Sequence, residues 1–431
     1  MTVVQERPAS AAMSVRGAIF LGVGSMVGAG IFALLGEAGA VAGAAVWMSF
    51  LLAGVVAGLL GYTVVKLGVR FPSSGGLIAY LIEGFGNGRL VGIASWLGYM
   101  AAIVIVGAMV AVSFGSYATA LFIGSDAASW WDNVFTSAVI ALTLTINLIG
   151  SKIVDRAQTA VVLIELCVFA VFVVVTLSDV DWSMLSFSGY PAFSDIVASV
   201  ALTFFAFMGF SVITFSAGDL ADPARGLPIA MYTALAVTGG LYVLIALGVF
   251  GTLTVPQVIE HGETAIAEAA RPSLGDAGFV MMAIAAILAT TSSVNATLYA
   301  SSGLTRMLAS VGQFPPLFGR TFYGAHNGLL LTAAFTLVVA NLVDLSAIAS
   351  VGSAISLTVF LLVGLAGWRR RHDTGANPVI AVLAIAVALI VLGFFAVDTL
   401  RNAPATFVAI IAIATLAVLL ESLTRRRRRV A

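Results

Sequence analysis

The sequence predicts an all-α polytopic membrane protein, and three observations carry that expectation. Hydrophobic residues make up 61% of the 431 positions and charged residues only 9%, against about 25% charged in an average soluble domain. The apolar residues fall in long runs free of Asp, Glu, Lys and Arg, each long enough for the ~20 residues that a membrane helix needs. Those runs are unbroken, whereas a transmembrane β-barrel would show alternating segments of about ten residues.

Twelve spans follow in order: 17–36, 38–65, 90–125, 133–151, 157–178, 196–218, 226–259, 277–305, 327–343, 345–368, 378–397 and 402–420, with Glu165 the one interruption inside the fifth. The polar segment 1–15 is expected to be a cytoplasmic tail. It leads straight into the first span, with no small-residue cleavage site after a short apolar core, so that span is expected to be retained. Basic residues set the orientation. With both ends inside, only Arg271 and Arg401 of the 20 basic residues fall outside, while Asp126, Asp132, Asp179, Asp181, Glu260, Glu263 and Glu268 all do. The basic stretch 423–431 then reads as a cytoplasmic anchor against anionic lipid. An Ala-, Val- and Arg-rich chain with two lysines fits a GC-rich bacterium, and hence a bacterial plasma (inner) membrane.

The same composition excludes other classes. Twenty basic residues are balanced by twenty acidic ones, which leaves no electrostatic basis for nucleic-acid binding. One cysteine, Cys167, forms neither a disulfide framework nor a thiolate cluster. An intramembrane enzyme would need paired carboxylates, a His–acid cluster or a serine beside a base within the spans, so no enzyme and no cofactor are expected.

Two spans contain flaws. The first reads Gly22-Val23-Gly24-Ser25-Met26-Val27-Gly28-Ala29-Gly30-Ile31-Phe32. Four glycines in nine residues are costly in a helix. Gly24 and Gly28 form a GxxxG packing motif, and a break exposing backbone groups to a cavity is the competing reading. The sixth span carries Phe204 to Phe210 with Gly209 among them, ten residues from Asp219, or about 15 Å of helix. Both flaws lie near mid-bilayer, five spans apart. Paired interruptions in two halves point to a transporter site.

Gly24 to Phe32 resembles the first-helix signature of the amino acid–polyamine–organocation superfamily. Phe204 to Phe210, with Gly218-Asp219 and Asp222-Pro223, resembles its sixth helix. Phe71-Pro72-Ser73-Ser74-Gly75-Gly76, with Tyr80 and Gly86, resembles the loop after helix two, and Arg306 to Pro315 the loop after helix eight. The likeness covers roughly 14–320; later helices match by topology only. It implies a five-plus-five inverted repeat, with the first repeat at 16–178, the second at 194–368, discontinuous helices one and six, and two appended helices at 378–422. It also implies secondary transport of amino acids or related amines by alternating access. Met26, Phe205 and Met208 would then offer carbonyls to a substrate ammonium, and Ser25, Gly28, Ala29 and Gly30 would cradle its carboxylate. Phe205, Phe207, Met208 and Gly209 stand at the sixth-helix break, where the rings either bound a pocket or simply pack. Ser211 occupies a place where many relatives carry a carboxylate, which disfavours a cationic substrate.

Glu165 lies nine residues from Arg156, about 14 Å into the membrane. An intramembrane carboxylate is a functional hypothesis by default, and the competing reading is a protonated structural Glu hydrogen-bonded to Ser, Thr or a carbonyl on helix one or eight. Several relatives carry a lysine in place of Glu165 as a surrogate for sodium. A carboxylate would instead carry a proton, or join Thr290, Thr291, Ser292 or Ser293 in holding a cation such as sodium. The expected partners are thus a small-molecule substrate, a proton or sodium, and the lipid bilayer.

Overall fold

The computed structural model describes residues 13–73, 75–124, 126–149, 154–217, 220–322 and 325–430. Helix follows helix: α1 (Val15–Ala29), α2 (Ile31–Ala42), α3 (Val46–Arg70), α4 (Gly76–Phe85) and α5 (Arg89–Tyr99), which continues through a π-turn at Met100–Ile105 into α6 (Val106–Phe122). Then come α7 (Trp130–Ile149), α8 (Val154–Ser178) and α9 (Phe193–Phe207), which tightens to 3-10 winding over Met208–Ser216. Next are α10 (Pro223–Thr252), α11 (Val255–His261), α12 (Ala265–Glu268) and the long α13 (Arg271–Ser310). The chain closes with α14 (Asn327–Leu342), α15 (Leu345–Arg369), α16 (Arg371–Thr374), α17 (Pro378–Asn402) and α18 (Pro404–Val430). Two two-residue strands, Thr321–Phe322 and Ala325–His326, form the one ladder among the described residues.

Backbone chemistry dictates this choice, since only a helix satisfies its own N–H and C=O groups in hydrocarbon. Among the described residues ten helices are long and apolar enough to cross a membrane. The expected first span is split at Gly30, and its outer part runs into α3 through a 3-10 turn at Gly43–Ala45. The expected ninth is α14, with only 16 residues.

Three expectations need correction. The segment 71–86 is not simply a loop: residues 76–85 form α4, and Tyr80 is fully buried. Glu37 does not separate two spans. It lies inside α2, which continues to Ala42 because Gly43, at φ 55°, ends the helix there. The seventh span stops at Thr252, and residues 255–261 form a separate helix started by Pro256 and a Thr254–Gln257 capping box. The tail residues 1–12, the motif residues Ser74, Gly218 and Asp219, and Lys152, one of the basic residues expected inside, lie outside the described residues.

Polar side chains tie the helices together at membrane depth, as expected where lipid offers no alternative partner. Ser49 donates to the Ile196 carbonyl at 3.0 Å and Ser199 to the Ala38 carbonyl at 3.2 Å, joining α9 to α3 and α2. Tyr99 and Thr332 share a 2.8 Å hydrogen bond, and Asn147 donates to Asn295 at 2.9 Å. The two ends of the bundle differ in charge. The arginine-rich end gathers Arg89, Arg370, Arg371 and Arg425; the acidic end gathers Glu37, Asp132, Glu263 and Glu268.

Candidate functional site

The site is built on the turn at Gly30. α1 stays helical to Ala29 despite its glycines; the chain turns at Gly30 (φ −106°, ψ −70°) and α2 starts at Ile31. The two readings of the glycine run therefore divide by position. Gly28 is a packing glycine: a Cβ there would stand 2.8 Å from the Ala289 carbonyl oxygen and 3.0 Å from Ser293 Cβ, both on α13. Gly30 is the break, and a Cβ there would strike the Tyr242 hydroxyl, the Ala206 carbonyl (2.7 Å) and the Met26 carbonyl (2.8 Å).

The sixth span meets the first at the same depth. α9 changes from α to 3-10 winding at Met208 rather than unwinding, and Gly209 presses on α1. A Cβ at Gly209 would lie 2.6 Å from the Met26 nitrogen and 2.7 Å from the Ser25 carbonyl oxygen. Ser25, Met26, Gly28, Gly30, Met208 and Gly209 thus come together around one crossing of backbones. Only the backbone of Ala29 is described, at the end of α1.

The carbonyls assigned to a substrate ammonium are all engaged in this conformation. The Met26 carbonyl accepts from the Tyr242 hydroxyl at 2.7 Å. The Phe205 carbonyl accepts from the Met208 N–H. The Met208 carbonyl accepts from Ser211 Oγ at 2.9 Å, while Ser356 Oγ approaches Met208 Sδ at 2.7 Å. The aromatic rings are core members here. Phe207 is fully buried, edge-on to Tyr242 at 5.1 Å, and Phe210 leans on Phe360, also at 5.1 Å. Phe205 packs against Gly352 of α15, where a Cβ would reach to 2.5 Å of its ring.

Tyr242, on α10, escaped the sequence reading. Its hydroxyl donates to Met26 and lies 3.3 Å from the Ala206 carbonyl, so one side chain bridges the flaws of both spans. The signal was a tyrosine in mid-span, because a hydroxyl in hydrocarbon needs a partner.

Glu165 is 2% exposed, on α8 where that helix packs against α1, α10 and α13. Among the described residues no side chain hydrogen-bonds or ion-pairs with its carboxylate, and it lies within electrostatic reach of Tyr242. The hydroxyls of Thr290 and Thr291 donate to carbonyls of their own helix, at 2.6 Å each. Ser293 lies against Gly28, beside the break, and Ser292 precedes it on α13.

A bundle of membrane-long helices whose first span breaks where the tightened sixth span crosses it, with a buried carboxylate on a helix packed against that first span, fits a membrane transporter. The chain belongs to the amino acid permease family, whose model matches residues 13–419, and so to the amino acid–polyamine–organocation superfamily. It is 30% identical to the inner membrane transport protein YbaT of Escherichia coli over 378 residues, covering 87% of this chain and 88% of that protein. It is 26% identical to the serine/threonine exchanger SteT of Bacillus subtilis, over 87% of this chain and 89% of that one. It is 25% identical to the methylthioribose transporter of Bacillus subtilis, over 82% of this chain and 80% of that one.

Proposed function

We propose that this protein is a secondary active transporter of neutral amino acids, working by alternating access and coupled to protons through Glu165. The observation that carries the coupling is the carboxylate itself: buried, unpaired among the described residues, and on a helix packed against the interrupted first span. A buried carboxyl holds its proton when sealed from water and releases it when hydrated, so opening and closing the site would load and unload it. Backbone donors and acceptors at Gly30 suit a zwitterion, with the N-terminal dipole of α2 toward the carboxylate and the carbonyls of Met26, Phe205 and Met208 toward the ammonium. In the present conformation Tyr242 holds the place that the ammonium would take at Met26. The similarity to a serine/threonine exchanger supports a small neutral substrate, as does the uncharged Ser211.

The architecture belongs to the same proposal: twelve spans, 16–178 and 194–368 as inverted repeats, 378–422 appended, the tails 1–15 and 423–431 cytoplasmic, in a bacterial plasma membrane. The distribution of arginine supports this orientation. Purified protein in proteoliposomes, offered a panel of neutral and cationic amino acids and polyamines under imposed pH or sodium gradients, tests it. The expected result is accumulation of small neutral amino acids under an inward proton gradient. Accumulation that follows sodium alone would move the coupling to a cation site of Glu165 with Thr290, Ser292 and Ser293, and transport of putrescine-like amines alone would overturn the substrate assignment.

A further inference from the structure

At the acidic end, α2 leans on the turn that joins α11 to α12, and the two backbones touch. A Cβ at Gly36 would lie 2.7 Å from the carbonyl oxygen of Gly262 and 3.1 Å from its carbonyl carbon. Gly262, at φ 52°, adopts a conformation open mainly to glycine. The residues that follow these glycines are Glu37 and Glu263, so the contact brings two partly buried carboxyl groups within electrostatic reach. Asp132 of α7 adds a third acid. Among the described residues, the side chains that face the two carboxyls with hydrogen bonds are hydroxyls. Ser116 faces Glu263 from α6 and Ser346 faces Glu37 from α15. Arg271 is already held by Glu268 and Asp276. His261 and Glu260 sit on the adjoining end of α11.

A second observation points to the same place. The Tyr117 hydroxyl is fully buried without a partner among the described residues, and its charged neighbours are Glu263 and Glu268. Its ring stands edge-on to Phe32 of α2 at 5.5 Å, so the tyrosine touches the helix that carries Glu37.

We propose that Glu37 and Glu263 form a proton-dependent latch, which holds the outer half of the first span against the α11–α12 turn while the pair keeps a proton and releases it when both carboxyls ionise. The latch deepens the alternating-access reading and rests on it. The sign follows from solvation. Burial pushes the Glu263 carboxyl above its ordinary value in the closed contact, with the neighbouring Glu37 and Asp132 adding to the rise. In an open, hydrated contact that value relaxes. A group whose value is raised in one state stabilises that state at low pH and ceases to do so as pH rises through the raised value. The closed contact is therefore favoured in acid, and neutral or alkaline external pH favours opening. Opening also gives the Tyr117 hydroxyl access to water.

The test uses the full-length protein in proteoliposomes, with Cys167→Ser to remove the native thiol and Ala38→Cys as reporter. Ala38 is fully buried on α2, one residue from Glu37. The rate of labelling by an impermeant maleimide, corrected for thiolate content, is read against external pH. The expected result is labelling that accelerates by roughly tenfold for each unit separating the closed-state and open-state values of the carboxyl. Glu263→Gln should label slowly at every pH, Glu263→Asp should keep the pH response, and Glu263→Lys should lock the contact through an ion pair with Glu37. A pH response that survives in both Glu263→Gln and Glu37→Gln overturns the latch, as does labelling that slows with rising pH. Labelling that responds to substrate but not to pH overturns the latch while leaving alternating access standing. A reporter insensitive to both overturns the two together.

Discussion

Gly30 is the residue at which the first span breaks, and its surroundings leave no room for a side chain. A Cβ would meet two carbonyl oxygens and a hydroxyl at once, and backbone atoms do not yield cheaply. Gly30→Val should abolish substrate binding while the protein still inserts and runs as a single species. Equilibrium binding of labelled substrate in detergent, alongside size-exclusion chromatography, decides it. Tyr242→Phe separates two roles for the bridging hydroxyl. If the hydroxyl occupies the ammonium's place at Met26, its removal frees that carbonyl. The lost hydrogen bond is worth roughly 0.5–1.5 kcal/mol, so substrate affinity should rise by roughly two- to tenfold. Weaker binding in this variant would make the hydroxyl a substrate contact. The break near Gly30 and the burial of Glu165 were legible in the sequence, because a glycine cluster and a lone carboxylate stand out in an apolar run. Tyr242 was not, because its importance lies in two carbonyls supplied by other helices, 216 and 36 residues away.

Among the elements, boundaries were harder to read than existence. Charge-free runs located the apolar helices, but a charge does not end a helix. Glu37 sits within α2, whose end is set by the backbone at Gly43. Glu421 sits within α18 and is 3% exposed. This buried carboxylate fastens α18 to the rest of the bundle. It accepts from Arg425 Nε at 2.9 Å, lies 3.5 Å from Arg89 Nε at the start of α5, and packs on Gly92. Beside it Asn87 donates to the Val311 carbonyl at 3.0 Å, and Phe314 stacks on Trp96 at 3.9 Å. Removing Arg425 leaves the buried acid with one long ion pair. Arg425→Ala should cost about 1–3 kcal/mol, seen as a drop in thermal unfolding temperature in detergent, and Arg425→Lys should recover part of it. An unchanged transition would show that α18 is held by apolar packing alone.

For the whole molecule, the coupling proposed for Glu165 would link local chemistry to direction. One charge moved through the membrane potential is worth about 2.3 kcal/mol per 100 mV, which supports roughly fifty-fold accumulation. Glu165→Gln keeps the shape and fixes the neutral state. It should retain substrate exchange between preloaded vesicles and lose accumulation driven by a proton gradient, together with the pH dependence of uptake. Counterflow and net uptake measured on one preparation distinguish these outcomes. A variant that still accumulates would reduce Glu165 to a structural residue.

The sole cysteine has a use that its chemistry does not advertise. Cys167 stands two positions beyond Glu165 on α8, so the helical turn aims the carboxylate at the bundle and the thiol at the exterior, where it is exposed. The native chain thus carries one natural attachment point for a spin label or fluorophore, on the back of the helix that bears Glu165. A probe there would follow that helix through the transport cycle in the otherwise unaltered protein, with each shift in its mobility registering a movement of Glu165's own backbone.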